Sequence, residues 1–536
     1  MNRPALILAV VVALSCLPST AAAGSAADAV ARKPPEQLGT VHFATSCAEA
    51  VQPQFDRAMA LLHSFWTKEA IEGFHTVLQQ DPRCVMAYWG IAMSHQQNPL
   101  TAQQPNSKAA QDALAGLDKA KEIGARTQRE RDYLAAIDLI YRDADKTEFR
   151  ARRLAYEKAM EALAQRYPDD PEASIFYALS LNMTAQLTDK TYANQRKAAA
   201  ILEKVLRQQP NHPGVAHYLI HSYDYPPLAA QGVPAARLYA KIAPEHPHAL
   251  HMPSHIFTRL GDWQESIDTN TRSAAAAKAE GNGGEQAHAM DYLVHAYLQL
   301  GQDEQAQRVV SESKSIQVNT PTFVGPYALA AMPARYALER RNWKEAAALE
   351  VRPSAFSFPD AITHFARGLG FARMGDVSSA QKEEAELATL RDTLAGKKDS
   401  YWSNQVEVQR LAVNGWIAFA QGARDGALKS MRAAADLEDS MEKHIVTPGP
   451  VAPARELLGD MLLETKQPAD ALAAFEAATK REPNRLRNLY GAARAAALSG
   501  DTAKAKMYYS KLAALAGKGN RARPELQQAK AYLAQR

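Results

Sequence analysis

The chain has 536 residues, more than a single compact core usually accommodates, so it is either several domains or an elongated array. Its 62 basic and 58 acidic residues are mixed along the length, giving a formal charge of +4 and no basic block of the kind that tracks a phosphate backbone, which excludes nucleic acid as the expected partner.

Residues 1–23 read as a secretory signal: Arg3 is followed by an apolar run from Ala5 to Leu17 and by the small residues Ala21, Ala22 and Ala23. The run is about 13 residues, short of the ~20 that span a bilayer, and no later segment approaches that length. Cleavage after Ala23 is therefore expected, with no transmembrane segment and a periplasmic or secreted product whose charge falls to +3 once Arg3 leaves. Cys16 fits the pattern preceding a lipid-modified cysteine poorly, so lipoprotein anchoring ranks second to simple cleavage. Residues 24–40, rich in Ala, Lys and Pro, read as an extended lead-in. Cys47 and Cys84 then remain, their separation close to one helical repeat. In an oxidising compartment they are expected to pair and staple the first repeat to the second, two buried free thiols being the alternative.

From residue 41 onward, apolar residues at three- and four-residue spacing in an Ala-, Leu-, Glu- and Arg-rich chain predict helix nearly everywhere. The first stretch, 41–205, carries Ala70, Phe74 and Asp81-Pro82; the central stretch, 206–315, carries Gly261, Trp263 and Ile267 and most of the histidines; the last, 316–536, carries Gly375 with Ala380, then Leu458-Gly459, Ala471, Phe475 and Glu482-Pro483, then Gly500, Ala505 and Tyr509. These match the tetratricopeptide template, whose Trp, Leu-Gly and Tyr lie on a first helix and Ala, Phe and Pro on a second, over about 34 residues in all. The expectation is an all-α solenoid, a right-handed superhelix of about twelve stacked helix pairs closed by a polar-faced cap from about Pro524. Its concave groove, lined by the first helix of each pair, is the expected ligand face, with Trp89, His248 and Arg335 among its lining residues and Met93, Glu456, Asp460, Tyr490 and Arg494 further along it.

In the central stretch His217 and His221 recur as His251 and His255, both at the offset of one template repeat (251 − 217 and 255 − 221), and a third copy places Asp291 and His295 at the same template positions. His248 and His288 occupy a second groove position, so seven of the chain's 15 histidines fall on groove positions between His217 and His295, in register. Histidines four apart share a helix face and can reach one ion, and neighbouring helices packed at ~8 to 10 Å bring such pairs together. His217, His221, His251, His255, His288, Asp291 and His295 are therefore candidate ligands for a divalent transition metal, zinc, copper, iron or nickel; ordinary hydrogen-bonded core histidines are the plain alternative. Pro253 interrupts the helix that carries His251 and His255, either distorting the groove or marking a later helix start, and Pro333 repeats that position.

The strings Leu62-His63-Ser64-Phe65-Trp66, Ala87-Tyr88-Trp89-Gly90, His217-Tyr218-Leu219-Ile220-His221, His251-Met252-Pro253-Ser254-His255-Ile256 and Glu442-Lys443-His444-Ile445-Val446-Thr447-Pro448-Gly449-Pro450 resemble those of a family of exported bacterial tetratricopeptide proteins, from about Val41 to the C-terminus. The resemblance implies the fold and the compartment and no activity. Two functions are in contention. One is a scaffold holding a protein, peptide or small ligand in its groove, with a His/Asp metal site in the central repeats. The other is a metal-dependent hydrolase or oxidase built on that cluster, for which His-Glu-x-x-His, Gly-x-Ser-x-Gly and a phosphate-cradling glycine loop are all missing, with Glu245 and Asp224 as the weak candidates for a base.

Overall fold

The computed structural model describes residues 37–318, 322–517, 519–520 and 523–535; the signal, Cys16 and the lead-in up to residue 36 lie outside the described residues. Among the described residues there are 26 α-helices, a few 3₁₀ turns and no strand, and none of the helices is long and apolar enough to cross a membrane. Consecutive helices pack as hairpins that stack on the next pair, which makes the chain an all-α tetratricopeptide-like solenoid.

The template positions account for the stacking. Phe475, fully buried, points from helix Pro468–Arg481 at Gly459 on the preceding helix and Gly491 on the following one. A Cβ at Gly459 or Gly491 would lie 2.7 or 2.3 Å from that ring, so both neighbours must be glycine for three helices to close on one aromatic. Phe74 repeats the arrangement against Gly90 near the N-terminus. Prolines at the first turn of Pro171–Thr184, Pro213–Tyr223, Pro468–Arg481 and Pro524–Ala534 start helices without losing an internal hydrogen bond.

The apolar core falls into three clusters, one from Leu38 to Phe257, a small one from Trp263 to Tyr336, and one from Phe323 to Ala529. The first runs without interruption through position 205, where the sequence reading divides the chain. Cys47 and Cys84 are disulfide-bonded. Cys47 precedes the first α-helix and Cys84 caps the third, so the bond pins the incoming chain, not the first hairpin, to the second.

The helix face expected to line an open groove is filled by the chain itself. At one end, residues 41–46 run across it: Phe43, fully buried, stacks 5.4 Å from Trp89 and packs on Tyr133, Arg129 donates to the Ala44 carbonyl, and Ser46 binds the Glu130 carboxylate. Trp89 is accordingly a core residue, 1 % exposed. Further along, the turn 441–450 and the C-terminal hairpins fold back. Glu442 pairs with Lys190, Arg335 donates to the Gly449 and Pro450 carbonyls, Leu486 bonds Gln299, and Arg523 pairs with Asp303. A buried network joins Arg485 to Glu339 and Glu456, and Arg341 to Glu456 and Asp460. Arg335, 0 % exposed and bound to Asp291 and Thr447 as well, is thus an internal tie and not a groove-lining residue. The sequence pattern shows which helix face is inward but not that the same chain returns to cover it.

Candidate metal centre

Five helices build the histidine-rich region: α1 (Pro213–Tyr223), α2 (Pro247–His251), α3 (Pro253–Leu260), α4 (Trp263–Ala279) and α5 (Gly283–Gln299). α1 and α2 start alike, on His212-Pro213 and His246-Pro247. In each, the histidine's Nδ1 accepts the N–H three residues on, Val215 at 3.3 Å and Ala249 at 3.2 Å. These two capping histidines also stand one template repeat apart (246 − 212) and serve the helix starts. At Pro253 the helix breaks between α2 and α3 while Met252 keeps helical dihedrals, and the His255 N–H turns to the Met252 carbonyl, 3.1 Å away. His251 and His255 therefore straddle the break. Pro333, by contrast, sits inside a continuous helix, Val324–Glu339.

Six histidines converge in two triads. His217, His221 and His248 form one and His251, His255 and His288 the other, the candidate ligand atoms within each lying within 4.8 Å of one another. His217 Nε2 is 3.1 Å from His221 Nε2 and 3.2 Å from His248 Nε2, and His251 Nε2 is 3.0 Å from His255 Nε2. Two nitrogens bound to one ion at roughly 2.1 Å with angles near 95–110° stand about 3.1–3.4 Å apart, so these separations fall at the short edge of shared coordination and also within the range of an N–H···N hydrogen bond. All six side chains are buried, the most exposed being His248 at 7 %.

The second triad is not satisfied by hydrogen bonds alone. Asn270 on α4 donates its amide to the Ser266 carbonyl at 2.7 Å, which fixes its oxygen toward His251 Nδ1 at 2.6 Å; that nitrogen must donate. His255 Nδ1 faces the Asp224 carboxylate at 2.9 Å and must donate too. Asp224 is already matched by Arg259 at 2.8 Å and Lys443 at 3.0 Å, and burial keeps His255 below its usual pKa against the pull of Asp224. With both rings neutral the protons are on Nδ1 and two bare lone pairs face each other across 3.0 Å; otherwise a single shared proton lies between them. A cation between them removes that repulsion. The Nδ1 contacts are of the kind that orient metal-bound imidazoles from behind.

The first triad shows the same conflict in milder form. His217 Nδ1 donates to the His63 carbonyl at 2.7 Å, leaving one Nε2 lone pair to face two neighbouring nitrogens, of which it can accept from one. His248 Nδ1 stands 3.7 Å from the Glu285 carboxylate, and His221 Nδ1 has no hydrogen-bond partner. Burial, reinforced by neighbouring imidazoles, holds His217, His221 and His251 well below the usual histidine pKa, and burial pushes His288 down to about 3. Burial would raise the Glu285 carboxyl, but its contact with His248 holds it at about 2.

The structure thus joins each expected pair to one histidine of the following repeat, His248 or His288, which completes the triad. It places Asp291 and His295 elsewhere: the Asp291 carboxylate is taken by Arg335 at 2.8 Å, and His295 packs against Trp263 with its Nδ1 unpartnered. Of the supporting groups, Asp224, held from sequence only as a weak candidate base, ends α1, Asn270 lies on α4 and Glu285 on α5, and no spacing rule assigns them to the rings they face. A third cluster, His63, Glu172 and His212, is equally buried.

No known family's model matches the chain, and no curated protein matches it. Among solved structures, a human IFIT1 dimer with m7Gppp-AAAA is 13 % identical, covering 80 % of this chain and 90 % of its own at a TM-score of 0.36. The APC/C hetero-tetramer Cut9–Hcn1 is 12 % identical, covering 90 % and 75 % at 0.37. At such scores the architecture stands on the helix order and hairpin packing of this chain itself.

Proposed function

We propose that this chain is an exported, metal-binding tetratricopeptide-like protein whose ligand is a transition metal ion held by buried imidazoles, His251, His255 and His288 foremost. The observation that carries this reading is the pair of Nε2 atoms of His251 and His255 facing each other at 3.0 Å, with the Nδ1 of each ring engaged from behind by Asn270 or Asp224. An all-nitrogen set suits zinc, copper or nickel better than iron, whose open sites usually include a carboxylate. A protein or peptide on the inner helix face would have to displace the chain's own residues 41–46 and 441–450, so the metal takes precedence over a groove ligand.

A catalytic use of the same ion is the second reading. Three nitrogen ligands leave a coordination position open, and the buried Tyr292 hydroxyl, whose ring lies 4.6 Å from that of His251, has no hydrogen-bond partner. Elemental analysis of untagged protein purified from the periplasm, beside a His251→Ala, His255→Ala variant, tests the metal reading. Stoichiometric metal lost in the variant supports it; metal-free protein that also refuses added zinc and copper overturns it. Turnover of hydrolytic or oxidative model substrates by the loaded protein only would favour the second reading.

A further inference from the structure

The two triads abut. The His221 ring centroid lies 5.9 Å from that of His255, and the His248 centroid 6.3 Å from that of His251. The same template positions generate both: two histidines one helical turn apart, and a third from the next repeat. His217, His221 and His248 form one half; His251, His255 and His288 form the other. Resting on the metal reading above, we propose that the triads are halves of one dinuclear centre that takes a pair of copper ions, one per triad, with open positions facing the space between them.

Three observations lead to this form. First, each half gathers ring nitrogens by itself: in the second triad two Nε2 atoms face each other at 3.0 Å with both Nδ1 atoms turned to acceptors, and in the first one Nε2 faces two others at 3.1 and 3.2 Å with its Nδ1 on the His63 carbonyl. A single ion at either triad would leave the other set of nitrogens without one. Second, all six donors are buried imidazoles, which ligate as the neutral ring and bring no negative charge. Two divalent ions would bring four positive charges into a site whose nearest carboxylates are Glu285, beside His248, and Asp224, already paired with Arg259 and Lys443. Uncompensated buried charge is unfavourable, which favours a metal that can rest as a monovalent ion. Among the metals that imidazole suits, copper does so readily. Third, the Tyr292 ring packs against the second triad, 5.4 Å from His255 and 5.5 Å from His288, and its buried hydroxyl has no hydrogen-bond partner, a donor that an oxygen ligand on the metal pair could use.

The test is to titrate the metal-free full-length protein with copper(II) sulfate, count copper per chain, and integrate the electron paramagnetic resonance signal against that count. The expected result is two copper ions per chain with most of the spin missing while a bicinchoninate assay finds no copper(I), because two copper(II) ions sharing an oxygen bridge, whose negative charge offsets part of theirs, couple. Two coppers with a full spin count would mean independent sites and overturn the pairing, and a single copper would overturn it while leaving the metal reading intact. No copper would overturn the pairing, and if zinc is also refused the metal reading falls with it. His248→Ala, at the most exposed ligand, is expected to leave one copper with its full spin, and His221→Gln provides the same readout should the alanine variant lose helix content. Two coupled coppers in both folded variants would overturn the assignment of ligands.

Discussion

Two buried histidine clusters lie side by side, and they resolve their hydrogen bonding in opposite ways. In the cluster of His63, Glu172 and His212, every nitrogen has a complementary partner. His212 Nδ1 accepts the Val215 N–H, so its Nε2 donates to Glu172 Oε1 at 2.9 Å; His63 Nε2 donates to Oε2 at 2.9 Å, and its Nδ1 accepts from the Tyr218 hydroxyl at 3.1 Å. The pair of histidines holds the Glu172 carboxyl well below the usual carboxylate range despite burial. Nothing in that arrangement asks for an ion. Around His251 and His255 the same residue type, equally buried, is arranged with both Nδ1 atoms turned to acceptors and the two Nε2 atoms facing each other, so that neutral rings set lone pair against lone pair. Three imidazole or carboxylate groups in contact are therefore not evidence of a metal; the placement of protons decides which cluster is structural and which is a site. The clusters also touch, because the His63 carbonyl accepts from His217 at 2.7 Å. Gly214 permits that approach, since a Cβ there would lie 2.4 Å from the His63 ring.

The largest effect that sharpens this contrast is acid destabilisation of the metal-free protein. His217, His221, His251 and His288 have folded pKa values below the unfolded value of 6.5, so below that pH the unfolded chain binds more protons. Stability should therefore fall as pH drops from about 6.5 toward the folded values, by roughly 1.4 kcal/mol per pH unit for each such histidine. Urea midpoints from pH 7 to 5 would show it, and bound metal should move the loss to lower pH. A flat profile in the metal-free protein would contradict the neutral, desolvated triads.

Glu172→Ala comes next, leaving two buried imidazoles facing an empty acceptor position. Leaving a buried donor unsatisfied costs about 1–3 kcal/mol, and here two are left. The denaturation midpoint should fall accordingly while metal content per folded chain stays unchanged; metal lost at full helicity would break the contrast.

Asn270→Ala should do the reverse, weakening metal binding about 10- to 100-fold by freeing the His251 ring, as measured by competition with a chromophoric chelator. The smallest effect is expected for His251→Gln without metal. Because it relieves the lone-pair contact, it should change stability by less than about 1.5 kcal/mol, against the 2–5 usual for a large buried side chain cut to alanine. A heavy loss would mean that the ring is held by hydrogen bonds and that the site is an ordinary core.

The array was legible in the sequence because hairpin repeats use local rules: Leu458-Gly459 followed by Ala471, Phe475 and Glu482-Pro483, and the helical periodicity of the apolar residues. The pairs His217/His221 and His251/His255 were legible for the same reason, since four residues make about one turn. Their partition into triads was not. The expected set ran straight across three repeats at equivalent positions to Asp291 and His295, whereas the structure completes each pair with His248 or His288 from the next repeat and gives Asp291 to Arg335.

The sequence by itself determined the helices, their pairing and the inward direction of the histidines, all set by spacing within one or two repeats. Only the tertiary structure decided that Trp89 and Arg335 are buried, that Lys443 reaches Asp224 from the far end of the chain, and that Asn270 and Asp224 lock the tautomers of His251 and His255. Those contacts depend on how far the stack turns before its own ends meet its inner face. That turn is the sum of many small packing rotations, and no single repeat encodes it.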